Sequence, residues 1–162
     1  MWSEVGVGTT FKLYLPRIDA CAVEKEEISV SVGGGGETIL VVEDQEAVRL
    51  FAKAALRQHG YQVIQASDGD QALSVAKQHS GRIDLLLTDV VMPGLNGREL
   101  SDRLKEVRPN VKVLFISGYT ADVIAQRGIL DQGVAFLHKP FSSDELAAKV
   151  REVLMQRSQI VQ

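Results

Sequence analysis

The sequence predicts an α/β domain built on a doubly wound sheet of five parallel strands with helices on both faces. Three observations carry that expectation. From Thr38 onward, short apolar runs alternate regularly with stretches of helical periodicity. The best of these runs, Ile39-Leu40-Val41-Val42, has no polar alternation, as befits a strand covered on both sides. Acids, a hydroxyl and a lysine fall just after the runs, where right-handed crossovers gather strand ends along one sheet edge.

Each element has its own signal. Residues 39–42 form the first strand. Val48, Phe51, Ala52, Ala55 and Leu56 recur at helical spacing after it, and Gly60 supplies a stop. Tyr61–Gln65 is a weaker second strand. Asp68 opens a helix that runs to about His79, with Ala72, Leu73 and Ala76 inward. Asp84–Thr88 is the third strand, followed by a helix over about 98–107 that ends before Pro109. Val111–Ile116 is the fourth strand and 121–127 the helix after it. Val134–Leu137 is the fifth strand. Ser142–Gln156 is the last helix, with Ser142 or Ser143 as its cap and Glu145 in its first turn. Asn96-Gly97 and Pro93-Gly94 read as turns that shape the loop after the third strand.

The chain divides into three parts. Residues 37–158 make the α/β domain. Residues 18–36 are acidic, lack aromatics and end in Gly33-Gly34-Gly35-Gly36, which reads as a flexible linker. In residues 1–17, Thr9–Leu15 alternates like one strand after a Gly6–Gly8 turn, and a lone strand needs a partner sheet. A net charge of −3 gives no reason to expect nucleic-acid or membrane-surface binding. No apolar run reaches the roughly 20 residues of a membrane span, and Glu4 interrupts any signal-peptide core. Cys21 is the single cysteine, so an intrachain disulfide is impossible and a reducing, cytoplasmic setting is expected.

Glu43 and Asp44 follow the first strand, Asp89 the third, Ser117 the fourth and Lys139 the fifth. At one sheet edge these side chains should converge. Three carboxylates together repel one another and invite a hard cation; Mg²⁺ suits a partly open oxygen site. A lysine and a hydroxyl beside them suit a phosphoryl group, whose oxygens Lys139 could neutralise and Ser117 could hydrogen-bond. An aspartate can attack phosphorus directly. No glycine loop of the nucleotide-cradling kind follows a strand. Taken singly, Asp44 could cap a helix, Ser117 could belong to a Ser-Gly turn, and Lys139 could be a surface lysine. Phe136 could be plain core, and Tyr119 an exposed loop aromatic. His59 fits a helix C-terminus, His79 the surface, and His138 should point away from Lys139. None of the three is assigned as a phosphodonor or ligand.

Ile39-Leu40-Val41-Val42-Glu43-Asp44, Leu87-Thr88-Asp89-Val90-Val91-Met92-Pro93-Gly94, Phe115-Ile116-Ser117-Gly118 and Lys139-Pro140-Phe141 resemble, in order, the motifs of receiver domains from two-component response regulators. The resemblance covers about Glu37 to Gln156. It implies a flavodoxin-like (βα)5 fold of strand order 2-1-3-4-5, with Asp89 as phosphoacceptor. It further implies Mg²⁺ held by Asp44, Asp89 and the main-chain carbonyl of Val91, with Glu43 acting through water. Ser117 takes the hydroxyl switch position, Phe136 the aromatic switch without its ring hydroxyl, and Lys139 binds the phosphoryl group. Lys139-Pro140 would be cis. The phosphodonor would be a histidine kinase or a histidine phosphotransfer domain. A downstream protein would meet the face made by the fourth helix, fifth strand and last helix. Residues 3–16 resemble the closing segment of a histidine-kinase ATP-binding domain, which would make the chain the C-terminal part of a hybrid sensor kinase. It would phosphorylate and slowly dephosphorylate itself without being a kinase.

Three competitors remain. A stand-alone response regulator would share the receiver domain. A phosphatase with an aspartyl nucleophile would want an Asp-x-Asp pair after the first strand, where this chain has Glu43-Asp44-Gln45-Glu46. A degenerate, purely binding receiver should lack one of the five site residues, and all are present.

Overall fold

The computed structural model describes residues 2–4, 6, 8–10, 12, 36–118 and 134–156. The chain forms two compact units, Met1–Val30 and Ser31–Gln162. In the first, β1 (Trp2–Glu4) pairs antiparallel with β2 (Gly8–Thr10), Trp2 facing Thr10 and Glu4 facing Gly8. Gly6, between them, has φ 84°, a conformation glycine adopts without strain. The strand expected over 9–15 therefore starts one residue earlier and has residues 2–4 as its partner. Residues 11 and 13–15 lie outside the described residues, as do 18–35 of the linker and Cys21.

In the second unit the order is β3 (Thr38–Val42), α1 (Glu46–Gln58), β4 (Gln62–Ala66), α2 (Gly69–Gln78), β5 (Leu85–Asp89), α3 (Gly97–Val107), β6 (Lys112–Ser117), β7 (Phe136–His138) and α4 (Ser143–Met155). The helix expected over 121–127 and Tyr119 lie outside the described residues. The five strands are parallel in the order β4-β3-β5-β6-β7, the doubly wound arrangement the sequence predicts. From β3 the chain moves outward to β4, then returns past β3 to β5. The winding therefore reverses between β3 and β5, and a crevice opens beyond their carboxyl ends.

Alternate residues of each strand feed opposite faces. Ile39, Val41, Leu85, Leu87, Leu114 and Ile116 pack with Ala52, Leu56, Leu146 and Val150 of α1 and α4. Leu40, Val42 and Leu86 pack with Ala72, Ala76, Leu100 and Leu104 of α2 and α3. Each fully buried leucine contributes about 1.5–3 kcal/mol. A helix cap is worth about 1 kcal/mol, so burial decides which helix covers which face and the caps decide where helices begin.

Those caps are specific. Asp68 caps α2 through the Gln71 amide. Asn96 and Glu99 form a capping box on α3, as Ser142 and Glu145 do on α4. Asn96-Gly97 is thus a helix start rather than the turn expected from its composition; an Asn-Gly pair serves either purpose, and Glu99 three residues on is what decides. Asp44 caps nothing: the first residue before α1 is Gln45, whose side chain makes no capping bond. Phe51, expected inward from its spacing, is 43% exposed and meets Phe141 with ring centroids 6.0 Å apart. His59 ends α1 with Nδ1 2.8 Å from the Ala55 carbonyl, as a helix-terminal histidine should. No helix among the described residues is long and apolar enough to cross a membrane.

The Asp68 cap yields a test. Hydrogen bonds from the Gln71 amide and the Ser67 hydroxyl hold its carboxyl below the usual aspartate range. A depressed folded-state pKa gives stability that is present above the unfolded pKa and lost as pH falls through the folded one. Asp68→Ala should cost about 1 kcal/mol near neutrality, and its gap from wild type in urea unfolding should narrow in acid below that range.

Candidate functional site

The crevice beyond β3 and β5 collects the residues singled out in the sequence. Glu43 and Asp44 follow β3 directly. Glu43 is fully buried and Asp44 exposed. Asp89 is the last ladder residue of β5, paired with Ile116, and is 7% exposed. One ligand oxygen from each of Glu43, Asp44 and Asp89 lies within 4.8 Å of the others. Ser117, expected just past its strand, is the final residue of β6 and is buried, paired with His138 of β7. Asp89 and Ser117 both complete their ladders. Main-chain pairing is blind to side-chain polarity, so the strands run one residue past their apolar stretches.

Lys139 follows β7 and closes the cluster. Its amide donates to the Ser117 carbonyl at 2.8 Å, which fixes where the side chain starts. Its Nζ lies 2.6 Å from Glu43 Oε2 and 2.6 Å from Asp89 Oδ2. The Lys139-Pro140 bond is cis, as the family resemblance implies. Asp89 Oδ1 accepts from the Val91 amide at 3.0 Å, so each carboxylate oxygen has its own donor.

Burial raises the Glu43 pKa, and the Asp89 charge adds to it; the Lys139 hydrogen bond and charge and the Gln45 amide oppose without cancelling it. For Lys139, burial disfavours the ammonium, but the hydrogen bonds and charges of Asp89 and Glu43 outweigh it and hold the pKa above the ordinary lysine value. Lys139 is therefore charged throughout the physiological range.

The loop after Asp89 is built for close approach. A Cβ on Gly97 would overlap the Asp89 carbonyl oxygen, and the Gly97 amide donates to the Val90 carbonyl at 3.2 Å. Glycine there lets α3 start directly against the main chain of Asp89. Gly94, at φ 75°, makes the turn between them.

Three carboxylate oxygens in mutual reach, one set open to solvent through Asp44, fit a hard divalent cation that keeps part of its water shell. The donor set contains oxygen alone, which disfavours softer metals. Chemically, the arrangement joins a nearly buried carboxylate, Asp89, to a fixed ammonium within a group of acids that could hold a cation.

Phe136 stands apart from the acids. It pairs with Phe115 across β6 and β7 and is partly buried beside Phe115 and Val90. His138 is exposed, as expected for a residue pointing away from Lys139. Sequence reasoning missed Arg49, whose Nη1 donates to the Glu43 carbonyl at 2.6 Å and reaches the Asp44 carbonyl at 3.4 Å. On a helix surface it reads as an ordinary charge, and nothing in its spacing marks it.

Residues 39–151 match the model of the response regulator receiver domain. Among curated proteins, the chain is 40% identical over 161 residues to the sensor kinase CckA of Brucella abortus. That alignment takes in 94% of this chain, which itself spans 17% of the kinase's length. It is 34% identical over 123 residues to sporulation initiation phosphotransferase F of Bacillus subtilis, covering 75% of this chain and 97% of that protein. Among solved structures, the receiver domain of the hybrid histidine kinase CckA superposes with a TM-score of 0.61 at 41% identity, over 72% of this chain and 98% of that one. Chemotaxis protein CheY4 of Vibrio cholerae gives 0.64 at 25% identity, over 73% and 98%. The family match runs from β3 into α4 and takes in every strand of the sheet, so the chain belongs to the response regulator receiver domain family.

Proposed function

We propose that Asp89 accepts a phosphoryl group from a phosphohistidine, and that Glu43, Asp44, Ser117 and Lys139 make that transfer possible. The observation that carries this reading is the contact of Lys139 with Asp89 at the mouth of the acidic cluster. A carboxylate oxygen of Asp89 would attack phosphorus as the P–N bond breaks, and the departing imidazole nitrogen would take a proton. Lys139 would neutralise a phosphoryl oxygen, and Ser117 would donate to another. Asp44, Asp89 and the Val91 carbonyl would hold Mg²⁺, with Glu43 acting through water. When bound, Mg²⁺ would supply charge neutralisation at the transferring group. Hydrolysis would reverse the attachment: water attacks phosphorus, the P–O bond to Asp89 breaks, and inorganic phosphate leaves.

Phosphorylation would draw Ser117 toward the new group and let Phe136 follow inward, so that β6 and β7 carry the change to their outer face. A downstream protein would read that face together with α4. The donor would be a histidine kinase or histidine phosphotransfer domain in the cytoplasm. We read the chain as the C-terminal part of a hybrid sensor kinase. The alignment to CckA supports this, because it extends well beyond the receiver match into the N-terminal unit. Residues 1–17 would be the end of an ATP-binding domain, and 18–36 the linker to the receiver.

Intact mass after incubation with Mg²⁺ and a small phosphodonor such as acetyl phosphate should show one added phosphoryl group. Chelation should abolish it, and Asp89→Asn should remain unlabelled. Equal labelling of Asp89→Asn would sink the assignment. For the hybrid origin, the gene's reading frame upstream of Met1 should encode an ATP-binding domain; a frame closed by a stop codon there would favour a stand-alone regulator.

A further inference from the structure

We infer that Arg49 is a positioning residue for the acidic site: its guanidinium holds the main chain of Glu43 and Asp44 so that their carboxylates stay in place for the cation. The inference rests on the phosphoacceptor reading above. Its starting point is a question of main-chain satisfaction. The carbonyls of Glu43 and Asp44 lie past the last ladder pair of β3, at Val42, and before the first helical bond of α1, made by the Arg49 amide to Gln45. They belong to neither element, and carbonyls in that situation need partners. Arg49 reaches back over the first turn of α1 to both, at 2.6 and 3.4 Å.

Two further facts separate this from an incidental contact. The other described helices of this unit are fastened at their starts by side-chain caps on Asp68, Asn96 and Ser142. At α1 the Gln45 side chain makes no such bond; the local brace there is Glu43 Oε1, which accepts from the Gln45 amide at 3.3 Å, a long contact made by a site carboxylate itself. The charge is also at the wrong end of its helix. A cation near a helix N-terminus opposes the macrodipole, so helix stability does not account for Arg49 lying there. Its half-buried guanidinium braces the loop instead, through Nη1.

Charge and position predict opposite signs. A bystander cation beside an acidic cluster repels an incoming divalent ion, so its removal would tighten binding. A brace that orders the ligands does the reverse, and loss of such outer supports weakens metal affinity about tenfold or more. Lysine keeps the charge but loses the rigid planar group that sets the direction of the donor.

The test measures hydrogen–deuterium exchange at the amides of Asp44 to Ala47 in chelator, then Mg²⁺ binding by calorimetry, on the full chain. Arg49→Met should speed exchange of those amides and weaken Mg²⁺ about tenfold, and Arg49→Lys should recover part of both. Unchanged exchange in Arg49→Met, or Mg²⁺ bound as tightly as or more tightly than by wild type, would overturn the inference. Should Arg49→Met fail to fold, Arg49→Gln is judged by the same two readouts. The chelator arm needs no metal, so a wild type that ignores Mg²⁺ would count against the proposed function while the exchange data still decide on the brace.

Discussion

Lys139 holds Glu43 and Asp89 together across 96 and 50 residues of sequence, each at 2.6 Å. The rest of the domain can be understood as what brings those three groups, and Asp44, to one place. The cluster adds little to stability. A buried ion pair roughly breaks even with well-packed apolar residues of the same volume, whereas a buried carboxylate stripped of its partner costs about 3–5 kcal/mol. Glu43 carries the mark of that tension: its pKa lies above the ordinary value because burial outweighs Lys139. A sequence selected for stability alone would have filled this crevice with apolar side chains. Its charges fit the phosphoryl transfer proposed for them.

The two edges of the sheet are treated in opposite ways. At the carboxyl edge, acids gather at the reversal between β3 and β5. At the amino edge, cations from the approach to and start of β6 finish the helices. Arg108 donates to the carbonyls of Ala76, His79 and Gly81 at the end of α2. Lys112 donates to those of Val153, Leu154 and Gln156 at the end of α4. Both place positive charge where the helix dipole favours it and satisfy carbonyls that have no helical partner. Arg49 differs from both: it lies in the first turn of α1 and donates to carbonyls at the carboxyl edge, beside the acids.

The sheet was legible because its strands are so apolar that β3 and β5 admit no other reading, and because β6 repeats the pattern with aromatic help. Strand order came with the family resemblance rather than from periodicity. Glu43, Asp44, Asp89 and Lys139 could be placed together because topology alone puts strand ends on one edge. Boundaries were less legible. Asp89 and Ser117 are ladder residues, a fact of main-chain pairing that polarity conceals. Phe51 shows the converse: Ala52, Ala55 and Leu56 define the buried face of α1, and Phe51 sits at its border, where the ring meets Phe141. Of the β1–β2 hairpin the sequence showed the second strand and the turn before it, whereas β1 is three residues long and carries too little alternation to register. Arg49 escaped for a different reason: it acts on carbonyls, which every residue has.

On the proposed reading, the resting contacts and the phosphoryl group compete for the same partners. Asp89 Oδ2 is bound to Lys139 and Oδ1 to the Val91 amide. Attack on phosphorus would use a lone pair that these contacts leave free, and the ammonium now on Asp89 is the one the incoming group would share. Exchange of Lys139 between the carboxylate and the phosphoryl group therefore conserves its pairing, and a change of state need not leave a buried charge alone. The amide of Lys139 is tied to the Ser117 carbonyl, and Ser117 ends the strand that pairs Phe115 with Phe136. A shift of the lysine's partner thus acts on the same pair of strands that the hydroxyl and the aromatic ring occupy. The coupling between chemistry and outer face would run through β6 and β7 because the site borrows its cation from the strand farthest from the acids.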